Sequence, residues 1–212
     1  MDVTPPHHNV ATRRFLARFP VTVVVFVIVG ILGFWTSGSA ARQAQLMRSL
    51  GVNWNDLVAL RWHRLITALF VQTRPGLRGT IGLLLLVIPV AEWRLGPRRT
   101  AILFILGDWA STVSVLVGLR LAAALGHSDA MRIAMTRDGG TSAAVHALAA
   151  AAVVGVRNPR VRWLLAILMT VEVVGLLIFT HRLFDVQHAI SALVGLGAGH
   201  LFLRSDRHRD GA

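Results

Sequence analysis

The chain has 212 residues, of which 54% are hydrophobic and only 15% charged, and its mean hydropathy is +0.61. Soluble domains carry about 25% charged residues, so this composition excludes an ordinary soluble globular protein. The formal net charge is +12, but all 22 basic residues are arginines scattered between apolar runs. A nucleic-acid-binding protein would instead present a basic stripe or a recognisable binding motif. The absence of cysteine excludes disulfides, thiolate metal sites and cysteine nucleophiles.

The first apolar run covers residues 20–35 and follows three arginines within residues 1–19. A basic stretch, an apolar run and small residues after it also resemble a cleavable signal peptide, but we expect an uncleaved membrane anchor. The next segment, residues 36–78, is polar and amphipathic, which predicts a long loop outside the bilayer. Residues 1–19 are then a cytoplasmic tail.

Five further apolar runs predict five more membrane-spanning helices. They cover residues 79–93, 100–119, 141–156, 163–180 and 187–203. Several of these runs are shorter than the ~20 residues that cross a bilayer upright, so their bounds are approximate, and the first of the five is the weakest. The expected fold is all-α: one polytopic membrane domain of six transmembrane helices over residues 20–204, followed by a cytoplasmic tail at 205–212.

The distribution of arginines predicts the orientation of this bundle. Three arginines stand in each of four segments: the N-terminal tail, the turn after the second run, the turn after the fourth run and the C-terminal end from Arg204 onward. Cytoplasmic segments of membrane proteins carry an excess of basic residues, and arginines in long loops on the other side have less influence on the orientation. We therefore expect both termini in the cytoplasm. The use of arginine to the exclusion of lysine favours a bacterial protein, and hence the inner cell membrane.

Two polar side chains arrive at the same depth in this topology. Ser142 lies just inside the start of the fourth span, after Gly139 and Gly140, and His188 lies just inside the start of the sixth. A serine nucleophile needs a base within hydrogen-bond reach, and histidine is the usual base near neutral pH. From the residues alone two other roles stay open: Ser142 as a helix cap beside Thr141, and His188 as an interfacial histidine.

Small residues line the two helices that carry this pair. They recur every four residues, at Ser191, Gly195 and Gly199 in the sixth span and at Ala143, Ala147 and Ala151 in the fourth. Small residues at this spacing let membrane helices pack backbone to backbone. We therefore expect the fourth and sixth helices to touch along these positions.

Four short motifs follow one another along the chain. They are WHRLIT at residues 62–67, EWRLG at 92–96, GTSA at 140–143 and HAISALVG at 188–195. They are similar to the W-x-R-x-x-T, E-x-x-x-G, G-x-S-G and H-x-x-G-x-x-x-G motifs of the rhomboid family of intramembrane serine proteases, in the same order. The resemblance extends over about residues 48–203. It implies a rhomboid-like fold with Ser142 as nucleophile, His188 as base, and Gly140 and His146 supporting the site.

The chain also departs from the family pattern. Rhomboid proteases usually carry H-x-x-x-N on the second helix, which supports the oxyanion hole, but residues 73–83 read TRPGLRGTIGL. Ala143 replaces the last glycine of the nucleophile motif, and His63 stands where the family has tryptophan. Losing an oxyanion donor costs about 100- to 1,000-fold in rate. The side chains nearest the missing pair, which we expect to replace it, are Gln72, Arg74 and Arg78.

His146 follows Ser142 by one helical turn, where the family tends to place an aromatic side chain beneath the base. It is either a second base or a ring stacked on His188, and we favour stacking. Three more ionisable groups lie within apolar runs: Asp108, Glu172 and His200. We expect them to make structural hydrogen bonds rather than a proton pathway, because the chain lacks the inverted repeats of transporters. Glu92 is expected to tie helix ends together at the cytoplasmic side.

The leading interpretation is an intramembrane serine endopeptidase that cleaves single-span membrane proteins through Ser142 and His188. The alternative is a rhomboid-like protein that binds transmembrane helices or lipids and cuts nothing; solute or ion transport is a minor third. We expect no cofactor, and no metal, because H-E-x-x-H is absent. The expected partners are membrane lipids and a transmembrane substrate or client, with no nucleic acid. The sequence leaves the substrate and the oligomeric state open.

Overall fold

The computed structural model describes residues 18–72, 78–179 and 183–210. These ranges contain ten helices: α1 (Pro20–Thr36), α2 (Ala40–Leu50), α3 (Trp54–Val58), α4 (His63–Ala68), α5 (Arg78–Leu95), α6 (Pro97–Ala124), α7 (Ser128–Met135), α8 (Ser142–Val154), α9 (Pro159–Phe179) and α10 (Leu183–Asp210). Over the same ranges the β-pairing is an isolated bridge between Val52 and Asp138. The predicted all-α class is confirmed.

Three helices of the described chain are long and apolar enough to cross a membrane. They are α6, α9 and the Asp185–Ser205 part of α10. Two further apolar helices, α1 and α8, are shorter, with 17 and 13 residues. Each of the six apolar runs coincides with one helix, although position 180 lies outside the described residues. The segment expected as a loop contains α2, α3 and α4, and α10 continues to Asp210, through residues expected as a tail.

α8 lies at the centre of the bundle and packs against α5, α6 and α10. Ten of its 13 residues are buried, and most of them are alanines. Leu148 of α8 is completely buried in a cluster with Leu84 and Ile88 of α5 and Phe104 of α6. Because alanine adds only a methyl group to the backbone, several helices can approach α8 closely at once.

The contact between α8 and α10 is a contact between backbones. A Cβ added to Gly195 would lie 2.8 Å from Ala147 Cα, and one added to Gly199 would lie 3.0 Å from Ala151 Cα. The third small residue of α10 serves a different helix: Ser191 Oγ donates a hydrogen bond to the carbonyl of Gly107 on α6, at 2.9 Å. Gly195 and Gly199 therefore face α8, while Ser191 joins α10 to α6.

Glu92, near the end of α5, holds the first turn of α1. Its carboxylate accepts hydrogen bonds from the backbone N–H groups of Val21 and Thr22, each at 2.8 Å, and from Thr22 Oγ1 at 2.7 Å. The first N–H groups of a helix have no partner within the helix, and the helix dipole makes them attract negative charge. The buried carboxylate thus joins two helix ends that are about 70 residues apart in sequence.

The WHRLIT motif organises the segment between α1 and α5. Arg64 donates hydrogen bonds to the carbonyls of Arg48 and Ser49, and Thr67 Oγ1 donates one to the carbonyl of Leu50 at 2.8 Å. These bonds hold the end of α2 against α4. The segment then pairs with the residues before α8, because Val52 and Asp138 exchange backbone hydrogen bonds of 3.0 and 2.8 Å.

Candidate active site

Two glycines lie just before the start of α8 and pass close to α4. Gly140 has a φ of +145°, a conformation that side-chain-bearing residues rarely adopt, and its N–H donates to the carbonyl of Ala68 at 3.0 Å. A Cβ on Gly139 would lie 2.9 Å from the same carbonyl oxygen. Glycine is therefore required at both positions, and the tight approach to α4 sets where α8 begins.

Ser142 is the first residue of α8, and its side chain is exposed. The preceding residue, Thr141, is completely buried and makes no capping hydrogen bond with its side chain. Within the described chain, Ser142 Oγ has no hydrogen-bond partner either, so Ser142 does not cap the helix. The first backbone N–H groups of α8, which carry the positive end of the helix dipole, begin at the same residue.

His146 and His188 form a stacked pair one helical turn below Ser142. Their ring centroids are 4.1 Å apart with an interplanar angle of 10°, and both residues are buried. His146 Nδ1 lies 2.7 Å from the carbonyl oxygen of Ser142. Because a carbonyl only accepts hydrogen bonds, Nδ1 carries the proton. Of the two roles open to His146, the structure has the stacked arrangement.

The second ring nitrogen of His146 faces a carboxylate on α9. His146 Nε2 is 3.5 Å from Glu172 Oε1, and the Glu172 side chain is 52% exposed. This separation is longer than that of a well-formed hydrogen bond. Both nitrogens of His146 are therefore directed away from the Ser142 hydroxyl, one at a carbonyl and one at a carboxylate, which disfavours His146 as the base.

A side-chain hydrogen bond joins the loop before Ser142 to the helix that carries His188. Gln187 Nε2 donates to Asp138 Oδ2 at 2.6 Å. Burial raises the pKa of the Asp138 carboxyl above its usual value, while hydrogen bonds from Gln187 and from the Gly139 N–H oppose that rise in pKa. The sequence analysis missed this bond, because neither residue belongs to a motif or to a periodic pattern.

The loop before α8 is also held by the segment between α1 and α5. Asn53 Nδ2 donates to the carbonyl of Met135 at 2.9 Å. Arg137 binds the carbonyl of Gly51 at 2.7 Å and the buried carboxylate of Asp56 at 2.8 Å. These contacts fix the position of Ser142 relative to a part of the chain about 90 residues earlier.

Gln72, Arg74 and Arg78 are the predicted replacements for the missing oxyanion donors, and the structure describes the side chain of Gln72 among them. Its Nε2 donates to Thr141 Oγ1 at 3.3 Å, next to Ser142. Gln43 binds the backbone carbonyl of Gln72 through its own side-chain amide. Of the other two predicted donors, Arg74 lies outside the described residues, and the Arg78 side chain does too.

The remaining ionisable groups of the apolar runs are His200 and Asp108. His200 is exposed on α10, more than three turns beyond His188. Asp108 is buried on α6, where its backbone carbonyl accepts a hydrogen bond from Ser111 Oγ at 2.9 Å. No group of three or more potential metal ligands occurs within the described ranges.

In comparisons with known proteins, no protein-family model, no curated protein and no solved structure matches the chain.

Proposed function

We propose that the protein is a membrane-embedded serine endopeptidase in which Ser142 attacks a peptide carbonyl of a single-span membrane protein and His188 accepts the serine proton. The observation that carries this proposal is the position of Ser142 at the first residue of α8, one turn above the stacked His146–His188 pair. The exposed hydroxyl has no partner among the described residues, so no competing hydrogen bond must break before it reacts.

The proposal includes a rhomboid-like bundle of six membrane-crossing helices, α1, α5, α6, α8, α9 and α10, with both termini in the cytoplasm. α8 has 13 residues and is therefore about 20 Å long, shorter than the ~30 Å hydrocarbon layer. An end of α8 then lies within the bilayer. Irregular backbone is tolerated at that depth where protein covers it. The loop before Ser142 is covered by protein and held by hydrogen bonds. This supports the Ser142 end of α8 as the end that lies within the bilayer.

The proposed reaction is acyl transfer through a Ser–His dyad. Ser142 Oγ bonds to the carbonyl carbon while its proton passes to His188, and that proton then goes to the leaving nitrogen as the C–N bond breaks. Water hydrolyses the resulting ester, with His188 again acting as base. The N–H groups of the first turn of α8 and the Gln72 amide are the proposed donors to the oxyanion.

His146 is a positioning residue in this mechanism. Its Nδ1–H binds the Ser142 carbonyl at 2.7 Å, and its ring lies flat against His188. The hydrogen bond fixes the plane of the His146 ring, and the stack fixes the plane of the His188 ring. A base held in one orientation loses less entropy on reaching the transition state.

A second candidate function is binding of transmembrane helices or lipids without cleavage. Two observations favour it. No hydrogen bond joins Ser142 Oγ and His188 in the described chain, whereas a working dyad lies at about 2.6–3.2 Å, often looser without substrate. In addition, the H-x-x-x-N donors are absent from the sequence.

Labelling with a fluorophosphonate probe in detergent distinguishes the two functions. We expect the wild type to be labelled, and Ser142→Ala and His188→Ala each to lose labelling and the cleavage of a single-span substrate with a helix-destabilised segment. The matched control is Ser128→Ala, because Ser128 is also an exposed serine at the first position of a helix. Cleavage that survives either dyad substitution rules out this dyad. A folded wild type that is neither labelled nor active supports the binding function.

A further inference from the structure

A cavity of about 660 Å³ opens at the end of α8 opposite Ser142. It is bounded by the end of α5, the start of α6, the residues between α8 and α9, and the last third of α10. Its volume falls within the range of about 300–1,000 Å³ that small-molecule sites occupy. More than three turns of α10 separate it from His188, so it is distinct from the site described above.

The polar part of this cavity is cationic. Arg94, Arg99 and Arg157 line it, and no aspartate or glutamate is among its described lining residues. The guanidinium groups of Arg94 and Arg157 make no hydrogen bond or salt bridge with a described residue, and that of Arg94 lies 5.9 Å from the centre of the Trp93 ring, a contact that leaves its N–H groups free to donate. Arg99 donates to Ser205 Oγ at 3.3 Å and lies 5.0 Å from the centre of the Phe202 ring. At least two cations are thus available to an anionic group.

The rest of the lining is apolar. Val156, Val161 and Leu203 contribute aliphatic surface, and the Phe202 ring lies beside them. Val161 is 44% exposed, so this apolar wall continues onto the outer surface of α9. A ligand that fits both parts carries an anionic group at one end and a hydrocarbon chain at the other. A free inorganic anion would leave the apolar wall in contact with water.

We propose that this cavity binds one anionic phospholipid, with its phosphate between Arg94 and Arg157 and an acyl chain along Val161 and Phe202. Arginine forms bidentate hydrogen bonds with phosphate oxygens. Basic pockets between membrane helices, at the level of the headgroups, suit such lipids. The site does not depend on the proposed proteolysis.

The test is titration of the detergent-purified protein with dihexanoyl phosphatidylglycerol and, separately, dihexanoyl phosphatidylcholine, with bound lipid counted by native mass spectrometry. We expect one phosphatidylglycerol to bind at least tenfold more tightly than phosphatidylcholine. Each arginine near a membrane surface contributes about fivefold in affinity, so Arg94→Gln with Arg157→Gln should weaken phosphatidylglycerol binding about 30-fold. Phosphatidylcholine binding should not change.

The matched control is Arg160→Gln with Arg162→Gln. It removes the same charge from the exposed first turn of α9, at residues that do not line the cavity. Equal weakening in both double variants would mean diffuse attraction of lipid to positive charge, and would overturn the site. If the first double variant does not fold, Arg157→Gln alone should weaken binding about fivefold, and no loss there also overturns it.

Sodium phosphate and glycerol phosphate separate a lipid from a soluble ligand with the same headgroup chemistry. We expect neither to displace phosphatidylglycerol at equal concentration, because neither covers the apolar wall. Displacement by either one identifies the cavity as a soluble-phosphate site and overturns the assignment to lipid.

Discussion

α8 and α9 follow one another in the chain but lie in opposite surroundings. Ten of the 13 residues of α8 are buried, whereas Val173 is the only buried residue among the 21 of α9. α9 is rich in leucine, isoleucine and valine, and α8 in alanine. Moving a large apolar side chain from lipid into the protein gives no hydrophobic gain in free energy. Small side chains let helix backbones approach each other, which adds van der Waals contacts. Side-chain size, more than hydropathy, distinguishes the central helix from the peripheral one.

This difference has a counterpart at the candidate site. α8 supplies Ser142 and His146, and its partner α10 supplies His188. The described contact of α9 with these residues is the pair between His146 and Glu172, at 3.5 Å. These three side chains thus lie on the two helices that pack most closely, where the distance between them is least free to vary.

The largest expected effect comes from a bulky residue between α8 and α10. Gly195→Leu should lower the free energy of unfolding by about 3 kcal/mol or more, because even a Cβ at Gly195 would overlap the Ala147 carbonyl. Thermal melting in detergent measures the change. The matched control is Gly175→Leu on α9, where an added Cβ meets nothing within 4 Å. Equal melting temperatures for the two variants would contradict the contrast between these helices.

Removing the ring that supports His188 should affect activity more than stability. In the proposed protease, we expect His146→Ala to lower kcat about 100-fold, because a small displacement of a catalytic group has that cost. His146→Phe restores a flat ring and should recover most of the rate. Cleavage kinetics and fluorophosphonate labelling measure both variants. A His146→Phe variant as inactive as His188→Ala would instead make His146 a participant in proton transfer.

Two glutamates extend the comparison to charged side chains. Glu92→Gln should lower stability by about 1–2 kcal/mol, since the buried carboxylate accepts three hydrogen bonds from the first turn of α1. Glu172→Gln on α9 should change the melting temperature little, because half of its side chain is exposed. Similar melting of the two variants would show that the α1 contact adds no stability.

The smallest expected effect is pH-dependent and lies in the loop before α8. The raised pKa of Asp138 means that ionisation is less favourable in the folded state than in the unfolded one. Its stabilising contribution is therefore complete below about pH 3.9, the unfolded value, and is lost as the pH rises through the higher native pKa. Asp138→Asn should melt at a higher temperature than the wild type at pH 7.5. The difference should shrink at pH 4.5, and a constant difference would exclude Asp138 as the cause.

Local patterns in the sequence were enough to predict the six helices that contain the apolar runs, but not the shorter α2, α3, α4 and α7. Each apolar run from residues 20–35 to 187–203 coincides with a helix, because run length and hydropathy are properties of neighbouring residues. The small-residue spacing also predicted where α10 meets α8, at Gly195 and Gly199. Sequence reasoning did not identify α6 as the partner of Ser191, because one serine hydroxyl can reach several neighbouring backbones.

The sequence by itself determined the all-α class, the order of the six helices that contain apolar runs, and the positions of Ser142, His146 and His188 near the starts of two of them. Only the tertiary structure decided which helix is central, that His146 stacks on His188, and that Gln187 binds Asp138. The physical reason is the sequence separation over which each effect acts. Hydropathy and helical periodicity act over a few residues, whereas a hydrogen bond between two single polar residues 49 positions apart leaves no pattern in either one's neighbours.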